Sequence, residues 1–97
     1  MSKIVIVAKI KIKEQFKDEV YAELLVLHKS TNELDEGCIQ YELHKDLEDV
    51  NSFTFIETWE NSKLLEAHMA TAHFASFVKT IENKLDALEI SKLEKLI

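Results

Sequence analysis

The sequence predicts an α+β fold in the order β-α-β-β-α-β: a four-stranded antiparallel sheet with its helices on one face. Three observations predict it. Lys3 to Lys13 alternates with period two, and the stretch after Glu14 steps by three and four. An aromatic strand, Phe53 to Trp59, then changes within three residues back to helical spacing. This order is the split βαβ, or ferredoxin-like, arrangement, whose second sheet face must be covered by something other than its own helices.

In the first strand Ile4, Ile6, Ala8, Ile10 and Ile12 share one face, and Val5 and Val7 share the other with Lys9, Lys11 and Lys13. Its first half has no polar face, which predicts cover on both sides. Phe16, Val20, Leu24, Leu27 and Thr31 then form the apolar side of an amphipathic helix. A connection from Asn32 to Glu36 leads to Gly37, the one glycine, placed where a helix hands over to a strand and positive φ is wanted.

The second strand is Cys38 to Lys45, with Ile39, Tyr41 and Leu43 on one face and Cys38, Gln40, Glu42 and His44 on the other. Asp46, Asp49 and Asn51 mark the reversal that pairs it with the aromatic strand. Asn61 or Ser62 caps a short helix carrying Leu64, Leu65, Ala67, His68 and Met69. Thr71 caps a second helical piece with Phe74, Phe77, Val78, Ile81 and Leu85 at core spacing, and Leu88 to Ile97 is expected as a fourth, edge strand.

With 97 residues the chain is expected to be one domain over 1–97. A domain of this size hides only about 60–70% of its unfolded surface, so association with a copy of itself helps stability. Strands apolar on both faces predict a two-fold homodimer formed through the sheet face. Twelve basic against 18 acidic residues give a net charge of −6, which argues against a nucleic-acid partner. One cysteine, Cys38, excludes an internal disulfide and a thiolate zinc site within one chain. The apolar run Ile4 to Ala8 is short for a signal-peptide core, and no stretch reaches membrane-span length, so a cytoplasmic location without membrane association is expected. A single glycine leaves no glycine-rich phosphate loop for a flavin or nicotinamide.

Chemistry is expected between Phe53 and Phe77, where Glu57, Trp59, His68 and His73 lie around a strand-to-helix switch. Each has a plain structural alternative: a core aromatic for Trp59, a hydrogen-bonded inward imidazole for His68, a helix-start residue for His73, a rim charge for Glu57. His68 and His73 are five apart and so do not share a helical face as the four-residue zinc spacing would require; no metal is expected. His44 is expected to be a solvated strand-end residue.

The segment GCIQYELHKDLEDVNSFTFIETWENSKLLEAHMATAHFASF resembles the antibiotic biosynthesis monooxygenase domain family, in particular its small quinol monooxygenase-like members. The resemblance covers nearly the whole chain; relatives commonly carry proline where this one has Ala72. It implies a dimeric α+β barrel and a cofactor-independent monooxygenase converting a small quinol or polyphenol-type aromatic to a quinone with molecular oxygen. His73 or His68 would be the base, Glu57 an orienter, and Trp59, Phe55 and Phe77 the substrate contacts. No cofactor is implied, because a deprotonated dihydroxyaromatic can reduce oxygen itself. The family's haem-degrading branch typically carries an asparagine on the first strand, where this chain has Ala8. Two alternatives use the same fold: a non-catalytic ligand-binding or stress-associated dimer, and an isomerase of a small phosphorylated carbonyl compound. The latter needs a basic cluster, and only Lys45 and Lys63 flank the core motif.

Overall fold

The computed structural model describes residues 2–97. Its elements are β1 (Ile4–Ile12), a 3-10 turn (Glu14–Phe16), α1 (Lys17–Leu34), β2 (Cys38–Lys45), β3 (Ser52–Trp59), α2 (Ser62–Met69), α3 (Ala72–Ile81) and β4 (Leu85–Glu94). The strands lie in the order β2-β3-β1-β4, each neighbouring pair antiparallel. This is the ferredoxin-like α+β architecture that the periodicities predict, with the second helical region split in two.

Alternation decides which side chains meet the helices. Ile6, Ala8, Ile10 and Ile12 of β1 and Phe53, Phe55 and Trp59 of β3 are buried against Val20, Leu24 and Leu27 of α1, Leu65 of α2, and Phe77 and Ile81 of α3. On the other face Val5 pairs across to Thr58 and Leu93, and Val7 to Ile56 and Ser91. That face carries no helix. Its apolar residues are only half-buried or exposed.

Three elements have boundaries that differ from the sequence-based expectation. Helix α1 continues to Leu34, so Asn32 lies within it, and its side-chain amide donates to the His28 carbonyl at 2.9 Å. Helix α3 stops at Ile81: Asn83 takes φ 65°, a left-handed conformation that a helix cannot continue through. Leu85 therefore opens β4, paired with Ile12, and the strand ends at Glu94 rather than Ile97. In β2 a bulge leaves Ile39 outside the register, since Cys38 pairs with Trp59 but Gln40 with Thr58. Cys38 consequently packs against the core, and Ile39, expected beside Tyr41, is half exposed.

Gly37 has φ 82°, as its position predicts. A Cβ there would also lie 2.8 Å from Leu64 Cβ, so the glycine lets α2 pack directly on the connection.

Candidate active site

Two helix caps place the histidines. Asn61 Oδ1 accepts from the Leu64 N–H at 3.0 Å and starts α2. Thr71 then works in both directions: its hydroxyl donates to the His68 carbonyl at 2.7 Å and accepts from the Phe74 N–H at 3.2 Å. The chain bends at Ala70–Thr71 between one helix and the next. This bend brings His68 and His73 together, which their five-residue spacing on a continuous helix would not do.

They converge on Asp35, the residue at which α1 ends, with extended backbone (ψ 119°). His68 Nδ1 is hydrogen-bonded to Asp35 Oδ2, and His73 Nε2 lies 2.9 Å from Asp35 Oδ1, off the line of a hydrogen bond. The Asp35 and His68 side chains are 4% and 2% exposed, that of His73 19%. Only His73 therefore has real contact with solvent. Asp35 was not singled out from the sequence. The available signal was an acidic residue at a helix C-terminus, where the macrodipole disfavours negative charge unless a partner compensates.

The remaining ring nitrogen, His68 Nε2, is buried without a hydrogen-bond partner. An orphaned buried nitrogen is costly, and a catalytic role is one of the explanations for it. Burial holds the imidazole below its ordinary pKa, the Asp35 hydrogen bond opposing, so the ring is neutral near pH 7. His68 packs on Trp59 (4.6 Å between centroids) and, edge-on, on Phe74 (4.9 Å) and Tyr41 (5.5 Å).

His68 lines a cavity of about 170 Å³ between the sheet and α2–α3. Phe55 and Phe77 line it too, as does Glu57; the other lining side chains are, Tyr41 and Met69 apart, aliphatic or aromatic hydrocarbon. Met69, Val78, Leu88 and Ile90 line the same cavity and are about half exposed, so they form its mouth beside β4. Glu57 is buried, and Trp59 Nε1–H donates to its Oε1 at 2.9 Å. Burial pushes the Glu57 carboxyl up to about 7, the Trp59 bond pulling the other way. Glu57 thus neither orients a histidine nor stands at a rim. Trp59 is fully buried behind Glu57 and His68 and does not line the cavity.

His73 borders a different, small pocket of about 70 Å³ between α1 and α3, with Glu23 and Ser76. His44 is exposed at the end of β2, near the Thr54 carbonyl. Cys38 is no nucleophile: burial, then Glu57 and Asp35, push its thiol up to about 11. Asp35, His68 and His73 are a donor set suited to a divalent transition metal, their ligand atoms lying within 4.8 Å. The Asp35–His68 hydrogen bond engages one oxygen of the carboxylate and one nitrogen of the imidazole.

The family model described as "Antibiotic biosynthesis monooxygenase" matches residues 3–80. The chain belongs to the antibiotic biosynthesis monooxygenase family. It is 33% identical over 94 residues to the provisionally named monooxygenase YcnE of Bacillus subtilis, covering 94% of this chain and 96% of that protein. An uncharacterized Synechocystis protein is 36% identical over 76 residues, 78% of this chain; the match spans about half of that relative, 51%. The crystal structure of PA3566 from Pseudomonas aeruginosa superposes with TM-score 0.92 at 30% identity, covering 100% of this chain and 97% of that one. The family match runs through the Glu57–Trp59 strand end and both histidine helices and stops before β4. Among the described residues no helix is long and apolar enough to cross a membrane.

Proposed function

We propose that this member of the family is a cofactor-independent monooxygenase that oxidises a small quinol or polyphenol-type aromatic with molecular oxygen. One observation carries the reading: a buried imidazole whose Nε2 has no partner lines a cavity whose other walls are, Glu57 and Tyr41 apart, apolar. His68 is the base. Its Nε2 takes the phenolic proton, leaving the electron pair on an electron-rich phenolate that can reduce oxygen directly. Phe55 and Phe77 hold the ring in a dry site, and Glu57, poised near neutrality, exchanges a proton with a second hydroxyl.

Size narrows the substrate. An apolar cavity of about 150 Å³ accommodates benzene. The 170 Å³ here therefore takes one substituted ring, and anything larger extends through the mouth at Met69, Val78, Leu88 and Ile90. No lysine lines this cavity, which disfavours a phosphorylated carbonyl substrate.

We infer further that two copies associate through the uncovered sheet face, where Val5, Val7, Ile56 and Leu93 stand close together.

The test is oxygen consumption with a panel of one-ring and two-ring quinols, with a metal chelator present. His68→Gln should lower the rate by about a hundredfold to ten-thousandfold while the protein stays folded. Peroxide detection separates the two outcomes for oxygen: water is the by-product if one oxygen atom enters the ring, hydrogen peroxide if none does. A folded wild-type protein that consumes no oxygen with any of the quinols would leave the cavity a binding site only.

A further inference from the structure

We propose that Asp35 is the positioning residue of this site: its buried carboxylate holds His68 in the Nδ1–H tautomer, which leaves the Nε2 lone pair for the cavity. The inference deepens the reading of His68 as the base and rests on it for its catalytic consequence.

An ionised carboxylate can only accept hydrogen bonds, and a neutral imidazole carries one N–H and one lone pair. His68 Nδ1 is bonded to Asp35 Oδ2, so Nδ1 must be the donor and Nε2 the acceptor. Without Asp35 no bond selects that tautomer, because among the described residues no other polar group is bonded to either ring nitrogen. Asp35 is itself buried, so its charge needs compensation from within the fold. The His68 N–H meets one carboxylate oxygen, and His73 Nε2 stands 2.9 Å from the other.

This arrangement gives the two histidines different tasks. His68 lines the cavity of about 170 Å³, and His73 lines only the pocket of about 70 Å³ on the far side, between α1 and α3. His73 therefore borders the carboxylate and does not line the substrate cavity. When Nε2 takes a proton, the resulting imidazolium keeps its Nδ1–H on Asp35, and the adjacent negative charge stabilises it. Asp35 gains no proton in the step. It orients one.

The deciding measurement needs no substrate. Long-range proton–nitrogen NMR spectra of the histidine rings distinguish a protonated ring nitrogen from a bare one. In the wild-type protein at neutral pH, His68 should show a protonated Nδ1 and a bare Nε2. In Asp35→Asn the amide can donate to Nδ1, and the signal should move toward the Nε2–H tautomer. His73→Gln should leave the His68 tautomer as in wild type. Where quinol oxidation is measurable, Asp35→Asn should lower kcat about a hundredfold or more with little change in KM. A wild-type His68 protonated on Nε2 would overturn the proposal even if Asp35→Asn failed to fold, as would an unchanged tautomer in a folded Asp35→Asn. The expected tautomer in a protein inert toward quinols would instead reject the monooxygenase reading and leave the assignment of Asp35 standing.

Discussion

Trp59 Nε1–H donates to Glu57 Oε1 at 2.9 Å, two residues apart on the helix-facing side of β3. The two side chains explain each other. A carboxyl group buried in an aromatic core needs a donor, and a buried indole needs an acceptor. The pair also stands next to His68, whose ring packs on the indole at 4.6 Å between centroids.

Glu57 should impose a pH dependence on stability. Its folded-state value, about 7, lies above the ordinary 4.5. Between those values the native chain keeps a proton that the unfolded chain has lost, so stability falls as pH rises through that window. The shift corresponds to about 3 kcal/mol as an upper figure. Glu57→Gln removes the titration, so its melting temperature relative to wild type should rise steadily from about pH 4.5 to pH 7. A constant difference across that range would show that Glu57 is ionised with an ordinary pKa.

Trp59→Phe should act through its neighbours. Because Trp59 lies behind the cavity wall, the change should reduce kcat more than it raises KM. Losing the Nε1–H leaves Glu57 Oε1 without its donor, at a cost of about 1–3 kcal/mol. Steady-state kinetics together with denaturant unfolding check both parts. A pure KM effect would place the indole in contact with substrate.

Gly37→Ala should destabilise strongly for a surface-connection residue. The αL conformation costs a non-glycine residue about 1–2 kcal/mol, and the new methyl would meet the Leu64 side chain. For a domain of this length each kcal/mol lowers the melting temperature by roughly 4–8 °C. A melting temperature within 2 °C of wild type, on the order of the smallest such change, would mean that α2 shifts to make room.

Light scattering should give the mass of two chains at micromolar concentration. Val7→Glu places a charge between Ile56 and Ser91 on the uncovered sheet face and should yield a folded monomer. A wild-type monomer, or a dimer indifferent to this change, would move the association to another surface.

Periodicity alone determined the strands, the helices and their order, because side-chain alternation and helical spacing are local consequences of backbone geometry. The same local rules made Thr71 a cap and Gly37 a handover residue, and both hold. The bulge at Ile39 escaped them, since it exists only in the pairing of β2 with β3. The candidate site was half legible: His68, Glu57, Phe55 and Phe77 do meet at one cavity, while Trp59 packs behind it and His73 faces elsewhere. Asp35 lies 33 residues before His68, and no spacing connects them. Their contact arises because α1 ends where α2 turns into α3, a matter of how three elements pack. Burial then settles what each group can do, lowering the pKa of His68 and raising that of Glu57. A titratable side chain takes its character from the dielectric and the partners around it, and those are properties of the folded chain.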